Sequence, residues 1–270
     1  MVQYAAVINI WNEENRIDAL FDELEKQTKK PALWIWIDDG STDDSVVRIE
    51  ERSQDSSIPV LVLRAPTKQK GDFDSIGKAW NHVFDKIQSL KGYDYLLVVD
   101  SDCHFPRNYA ENMIDFMESH ENYGVAAGQV RGETRLHMPM NAGKIVRWEI
   151  VDSIERFWDI VPDTFWNIRA LFLGYDLAIR PDIIIDASPS AGFTRKGRFR
   201  YGRLSYYVGT HFLRVLFEAM KFLLTGGMAT AFLHGYFYEW SKGDWKCDIP
   251  MIRKFYSLSG LIRWRLSHFL

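Results

Sequence analysis

The stretch Tyr95-Leu96-Leu97-Val98-Val99-Asp100-Ser101-Asp102 joins a largely apolar run of five residues to two carboxylates that are one residue apart. The apolar run predicts a buried β-strand, and the acidic residues follow where the chain turns. Two carboxylates on one turn offer hard oxygen ligands to a divalent cation. Asp and Ser also open turns and cap helices, so this motif alone does not identify a site.

A second acidic turn, Asp38-Asp39-Gly40-Ser41-Thr42-Asp43, follows a predicted strand over residues 33–37. In parallel α/β sheets the carboxyl ends of the strands share one edge, and ligands bind in the crevice there. Asn12 falls at the same edge, after the first predicted strand. The two acidic turns are therefore expected to meet, and together they indicate a nucleoside diphosphate site.

The first 130 residues alternate between strand-like and helix-like segments. Apolar runs predict strands over 5–10, 33–37, 60–63, 95–99 and 124–130, and amphipathic segments predict helices over 14–27, 43–52, 76–90 and 106–118. Nearly continuous apolar strands in alternation with helices are typical of an α/β, Rossmann-like, doubly wound and mostly parallel sheet.

The pattern is less regular after Val130. It predicts a loop over 131–143, an amphipathic helix over 144–158, a strand over 170–179 and helices over about 208–240. We therefore expect a first domain over residues 1–190, with halves 1–120 and 121–190. A basic, helical C-terminal extension over residues 191–270 follows it.

The charge is unevenly distributed, although the formal net charge is only −3. Residues 190–270 contain 13 Lys and Arg against 4 Asp and Glu, or +9, which leaves −12 for the rest. A basic end suits phosphate groups or an anionic membrane surface. The acidic remainder and the lack of a recognisable module argue against nucleic acid as a partner.

The cysteine content and the apolar runs bear on location. Cys103 and Cys247 are the two cysteines, so no disulfide framework is indicated and a reducing cytoplasm is expected. The N-terminus lacks the pattern of a signal peptide. Residues 212–232 are apolar but are interrupted by Arg214, Glu218 and Lys221, which favours an amphipathic helix over a membrane span. A peripheral contact with the inner face of the membrane is compatible with this pattern.

Four motifs resemble those of the family 2 glycosyltransferases, a large inverting group with the GT-A fold. They are Ile8-Asn9-Ile10-Trp11-Asn12-Glu13-Glu14, Asp38-Asp39-Gly40-Ser41-Thr42-Asp43, Gly77-Lys78-Ala79-Trp80-Asn81 and Val99-Asp100-Ser101-Asp102. Residues 174–180, Gly-Tyr-Asp-Leu-Ala-Ile-Arg, are similar to the strand that lines the acceptor site in that family. The first four motifs cover roughly residues 4 to 120.

The resemblance implies that a sugar is transferred from a nucleoside diphosphate donor with the help of Mn²⁺ or Mg²⁺. Asp102 would hold the metal ion, and Asp100 would share it or contact the ribose. Asp39 would bind the nucleobase. The other implied donor contacts are Asn9 and Glu13, which would frame the pocket, and Lys78, which would reach the diphosphate. Asn81 is interpreted as a structural hydrogen-bonding residue.

Inversion needs one general base that deprotonates the acceptor hydroxyl. The family's Glu-Asp pair is missing after residues 191–194, Ala-Gly-Phe-Thr, so the resemblance leaves the base open. Asp176 is the first candidate, because it follows a glycine on the strand expected to face the acceptor. Glu149, Asp152 and Asp186 are the alternatives.

Five cations, Arg195, Lys196, Arg198, Arg200 and Arg203, lie within nine residues. Together with two interleaved aromatic residues, they are predicted to bind a phosphate-bearing acceptor, such as a polyprenyl-phosphate-linked sugar, or an anionic bilayer. The acceptor is therefore expected to be a glycan or a polyprenyl-phosphate-linked sugar. Residues 252–266 have the composition of an interfacial helix, with docking on the catalytic domain as the alternative.

Other protein classes fit the sequence less well. A haloacid dehalogenase-type phosphatase would need Thr or Val where His104 stands, and a dinucleotide oxidoreductase would need a G-x-G-x-x-G segment after the first strand. The remaining alternative is a GT-A-like protein that binds nucleotide sugars without transferring them.

Overall fold

The computed structural model describes residues 2–66, 76–133, 138–159, 163–187, 194–243, 246–260 and 262–263. The chain divides into two compact units, Met1–Ser188 and Pro189–Leu270, next to the boundary predicted at residue 190.

The first unit is built on one seven-stranded sheet. Its strands are β1 (Tyr4–Ile10), β2 (Leu33–Asp38), β3 (Val60–Arg64), β4 (Tyr95–Val99), β5 (Tyr123–Val130), β6 (Lys144–Arg147) and β7 (Asp176–Ile185). Its helices are α1 (Ile17–Glu25), α2 (Ser45–Asp55), α3 (Ile76–Ser89), α4 (Tyr109–Ser119), α5 (Trp148–Asp152) and α6 (Asp163–Phe172). The α/β class and the mostly parallel sheet are confirmed.

The strand order is β3-β2-β1-β4-β6-β5-β7. β6 runs antiparallel to both of its neighbours, whereas the other paired strands are parallel. Alternation of strands and helices over the first 130 residues produces this arrangement, since each helix carries the chain back to start the next parallel strand. The carboxyl ends of β1, β2 and β4 consequently lie at the same edge.

Large aromatic side chains fill the core around the sheet. Phe21 of α1 packs on Trp34 and Trp36 of β2, with ring centroids 4.5 and 5.3 Å away. A second cluster joins Trp80 of α3 to Trp166 of α6 at 5.6 Å. These contacts exclude water from the sheet and fix α3 and α6 close to each other.

Two predicted elements after Val130 are wrong. Residues 144–158, predicted as one helix, form strand β6 and the short helix α5. Residues 170–179, predicted as a strand, contain the end of α6, a turn in which Gly174 has a φ of 91°, and the start of β7. Buried apolar residues at mixed spacings fit both a helix and a strand, so periodicity does not separate the two here.

The second unit is helical in its described part, with α7 (Arg195–Tyr207), α8 (Phe212–Leu224), α9 (Ala229–Lys242) and α10 (Pro250–Tyr256). Helix α7 begins inside the arginine-rich segment, 13 residues before the predicted start, where the Thr194 hydroxyl accepts a hydrogen bond from the Gly197 N–H group at 2.9 Å. α7 and α9 approach closely, because a Cβ atom on Gly202 would lie 1.9 Å from the Phe232 carbonyl oxygen.

The predicted interfacial tail is only partly helical. α10 ends at Tyr256, and its apolar residues Ile252 and Phe255 are buried, so these two side chains do not form an exposed interfacial surface. Residues 261 and 264–266 of that prediction lie outside the described residues. Within the part of the chain that the structure describes, we find no helix with the length and apolarity that crossing a bilayer requires.

Candidate functional site

A cleft of about 380 Å³ lies at the carboxyl ends of β1, β2 and β4. Five residues predicted from the sequence line it, namely Asn9, Glu13, Asp39, Asp100 and Asp102. The remaining lining comes from Trp11, Arg16, Ile76, Trp80, Val98, Val99, Ser101 and Asn141. The structure thus brings the two acidic turns and the first turn together at one opening.

The Asp100-Ser101-Asp102 turn has the donor set that a divalent cation needs. Among the described residues, one ligand atom each of Asp100, Asp102 and Cys103 lies within 4.8 Å of the others. Burial, together with the neighbouring Asp100 and Asp102 carboxylates, raises the pKa of the Cys103 thiol, so it is protonated at neutral pH. The two carboxylates are therefore the chemically suitable ligands, and they fit Mn²⁺ or Mg²⁺.

Glu13 connects the first turn to the metal-site turn. Its carboxylate accepts a hydrogen bond from the Ser101 hydroxyl at 2.9 Å, and its backbone N–H group donates to the Ser45 hydroxyl at 2.8 Å. Arg16 pairs with the same carboxylate at 3.5 Å. Glu13 therefore positions Ser101, and with it the turn that carries Asp100 and Asp102.

The first and second turns are joined through Asn12. This residue has a φ of 55°, in the left-handed region that Asn tolerates better than most residues. Its side-chain oxygen accepts a hydrogen bond from the Thr42 N–H group at 2.8 Å, and its own N–H group donates to the Ser41 hydroxyl at 3.0 Å. These bonds hold the segment after Asp39 against the end of β1.

Asp39 and Asn9 supply buried polar groups to the cleft. Asp39 is only 2% exposed, although it lies at a strand end. The Asn9 side-chain oxygen is also buried, and the described residues provide no hydrogen-bond partner for it. Buried polar atoms in folded proteins are nearly always paired, so an unpaired acceptor in a cleft wall is suited to an N–H group of a ligand.

Sequence comparison identifies the family of this chain. The profile of Glycosyl transferase family 2 matches residues 5–196, which is more than half of the chain. The chain belongs to glycosyl transferase family 2. No curated protein sequence matches it significantly.

Solved structures of low sequence identity share the fold of this family 2 chain. A mannosyltransferase, PcManGT from Pyrobaculum calidifontis in complex with GDP-Man and Mn²⁺, is 17% identical with a TM-score of 0.57 over 74% of this chain and 61% of its own. TarS 1-349 from S. aureus in complex with UDP-GlcNAc is 17% identical with a TM-score of 0.53 over 75% of this chain and 65% of its own. The chain thus spans less than two thirds of either protein.

A further TarS 1-349 structure aligns with nearly the whole chain. It is 16% identical, has a TM-score of 0.54, and covers 98% of this chain and 79% of its own. At these identities the likeness shows the fold alone.

Asp176 of this family 2 chain lies at the wrong edge of the sheet for the predicted base. It begins β7 and pairs with Tyr123 at the start of β5, whereas the cleft lies at the carboxyl ends of the strands. The register through β6 places Asp176 about level with residue 94, five residues and about 17 Å from Val99. Its carboxylate accepts a hydrogen bond from Asn122 at 3.0 Å. This position argues against Asp176 as the base.

The alternatives Glu149 and Asp152 lie at that same far edge. β6 is antiparallel to β4, so helix α5, which carries both residues and follows β6 directly, begins at the amino ends of the parallel strands. Glu149 accepts a hydrogen bond from the Tyr175 hydroxyl.

The third alternative, Asp186, lies at the same edge as the cleft, where it forms an isolated bridge with His104. Its carboxylate accepts hydrogen bonds from the Nε–H and Nη2–H groups of the Arg131 guanidinium. That hydrogen-bonded pair holds the pKa of Asp186 below its usual value, which makes this carboxylate a weak base.

Two residues of the third motif have different surroundings. Lys78 is exposed on α3, and its neighbours Ile76 and Trp80 line the cleft in its place. The Asn81 side chain bonds to the backbone of Phe157 in both directions, at 2.8 and 3.1 Å. The structural role predicted for Asn81 is confirmed.

Other cleft residues were not predicted. Trp11 is half exposed, and Arg16 brings a cation to the acidic cleft. An exposed tryptophan directly after a predicted strand was a usable signal for Trp11, whereas Arg16 gave none.

The basic cluster predicted to bind phosphate does not act as one group. Arg203 forms an ion pair with the buried Glu239, and the Arg198 guanidinium lies 3.8 Å from the centroid of the Phe222 ring. These two residues therefore stabilise the packing of α7 on its neighbours. Arg195 and Arg200 are exposed.

Proposed function

We propose that this family 2 chain transfers a sugar from a nucleoside diphosphate donor, with a divalent cation, in a single inverting displacement. One observation carries the proposal. A buried carboxylate, a buried unpaired acceptor and a pair of turn carboxylates all line a single cleft at the carboxyl ends of three strands. This is the edge at which α/β proteins bind nucleotides.

Different cleft residues would bind different parts of the donor. Asp39 and Asn9, both deep in the wall, would accept hydrogen bonds from the nucleobase, and the exposed ring of Trp11 offers a stacking surface. Asp102 and Asp100 would hold the cation, whose charge offsets the charge that develops on the leaving diphosphate. Arg16, which lines the cleft, takes the phosphate-contacting role that the sequence suggested for Lys78.

We propose that the general base is a carboxylate other than Asp176 that lies at the cleft edge of the sheet. Helix α6 begins at Asp163. One turn later, Trp166 packs on the cleft residue Trp80, and the Asn167 side chain bonds to the Pro139 carbonyl oxygen at 2.9 Å. The start of α6 is thereby fixed beside the cleft, so we propose that this part of the chain faces the acceptor hydroxyl.

The acceptor is proposed to be a glycan or a polyprenyl-phosphate-linked sugar. Arg195 and Arg200 are exposed on α7, in a part of the chain that carries +9. Guanidinium groups bind phosphate with two parallel hydrogen bonds, which suits a phosphate-bearing carrier.

Release of the nucleoside diphosphate from GDP-mannose, UDP-GlcNAc and other nucleotide sugars, with Mn²⁺ or Mg²⁺, tests the proposal. The Asp102→Asn variant should lose at least about 100-fold in turnover, because a carboxylate that supports the leaving group becomes neutral. Asp115→Asn, on the exposed side of α4, is the matched control and should retain full turnover.

Two results would overturn the transferase assignment. Equal turnover in both Asp variants would remove Asp102 from the chemistry. Nucleotide sugar binding with neither hydrolysis nor transfer to any acceptor would support the alternative, a protein that binds the donor without transferring it.

A further inference from the structure

Helix α8 leaves a large apolar surface uncovered. Its inward stripe, formed by Val215, Ala219 and Phe222, belongs to the core of the second unit. The opposite side, which we call the α8 face, consists of seven bulky apolar residues that are all exposed, namely Phe212, Leu213, Leu216, Phe217, Met220, Leu223 and Leu224. Soluble monomers rarely expose contiguous apolar patches of this kind without an interaction that covers them.

The α8 face ends in a protruding tip. Leu223 and Leu224 are 71% and 81% exposed, and the exposed Met228 follows across a turn that contains Gly226 and Gly227. Side chains with that much free surface project outwards and do not line a groove. A projecting apolar tip suits insertion into a lipid layer better than the docking of a peptide.

Aromatic residues of α9 extend the surface. The rings of Phe212 and Phe237 are 6.3 Å apart, and those of Phe237 and Trp240 are 6.2 Å apart. Trp240 is 62% exposed, and the neighbouring Tyr238 is also exposed. Trp and Tyr are the residues that favour the boundary between lipid headgroups and acyl chains.

The second unit, which carries the α8 face, has a net charge of +9. Lys221 on α8 and Lys242 on α9 are exposed, as are Arg195 and Lys196 on α7. The second unit holds only four acidic residues, and of these Glu239 is buried against Arg203. The surface therefore complements an anionic partner, and two copies of this basic unit facing each other would repel.

We propose that the α8 face binds an anionic lipid bilayer, with Leu223 and Leu224 inserted to the depth of the headgroups and the surrounding cations on lipid phosphates. Apolar insertion and electrostatic attraction together make such binding stronger and dependent on ionic strength. The inference does not use the donor site, and it would bring the catalytic unit to lipid-linked substrates.

Flotation with phosphatidylcholine vesicles, with and without phosphatidylglycerol, tests the proposal on the full chain. The wild-type chain should float with the anionic vesicles and less so at high salt. The double variant Leu223→Glu/Leu224→Glu should bind at least about tenfold more weakly. Val47→Glu on α2, which alters an apolar residue that is 51% exposed, should float like the wild type.

Three results would overturn the proposal. The wild-type chain could fail to float even at low salt, or the double variant could float as well as the wild type. Light scattering could also show a wild-type dimer that the double variant converts to a monomer, which would assign the α8 face to a second copy. Because both leucines are exposed, unchanged circular dichroism and melting of the double variant confirm that its fold is intact.

Discussion

At the scale of a single residue, substitution of Asn9 is expected to change ligand binding and folding stability in opposite directions. Its buried oxygen has no partner among the described residues, and its neighbours in β1 are apolar. We predict that Asn9→Val weakens binding of the nucleoside diphosphate at least about tenfold and raises the free energy of unfolding by about 1 kcal/mol, since a buried unpaired acceptor is removed. Calorimetric titration and chemical denaturation measure the two quantities.

Asn81→Ala is the matched control for that prediction. Its amide bonds to the Phe157 backbone, so the substitution should lower the free energy of unfolding by about 1–3 kcal/mol. If Asn9→Val lowered stability in the same way, or left binding intact, Asn9 would be an ordinary structural residue.

The sequence was sufficient to predict the cleft residues that directly follow a strand. Asp39, Asp100 and Asp102 are found by reading where an apolar run stops, because parallel strands end at one edge. Trp11 and Arg16 depend on the path of the first turn, which the left-handed Asn12 and its bonds to residues 41–42 define. Such side-chain bonds between distant turns leave no periodic signal.

At the scale of elements, the wrong strand prediction over residues 170–179 led to a wrong position for Asp176. The prediction placed this residue near the cleft, but it lies at the opposite edge of the sheet. A strand over that range would end shortly after Asp176, near a ligand-binding edge. The strand in fact begins at Asp176, because buried Trp166, Ile168 and Ala170 continue helix α6 up to Phe172. A short apolar run fits either element, and its pairing with β5 is non-local.

The register of β7 makes a direct prediction about the base. Asp176→Asn should retain full turnover of the sugar donor, since that residue lies at the far edge of the sheet and a general base acts on the acceptor in the cleft. Steady-state kinetics measure the turnover, and titration of the nucleoside diphosphate checks that donor binding is unchanged.

The opposite result would reassign the base. If Asp176→Asn were inactive, Asp176 would be the base and the register of β7 would contradict the chemistry. If the variant retained turnover, Asp186 would be the next carboxylate to test, despite its pairing with Arg131.

For the whole molecule, composition indicated a change of character near residue 190, where the charge switches from acidic to basic. It could not indicate which apolar residues of the second unit are covered. Helix α8 is apolar except on the side that carries Arg214, Glu218 and Lys221, a pattern that fits a helix with most of its surface buried or one that rests on lipid. Only packing shows that Val215, Ala219 and Phe222 are inside and that the α8 face is not.

Thermal melting with UDP, GDP and TDP, each with and without Mn²⁺, tests the central claim of a metal-dependent nucleotide site most directly. At a ligand concentration of 100 times Kd, binding to the folded state alone adds about 2.7 kcal/mol. For a unit of this size that raises Tm by about 5–10 °C. We predict that one diphosphate does so in the wild-type chain only with metal, and not in Asp102→Ala. Equal stabilisation of Asp102→Ala, or none by any diphosphate, would contradict the account.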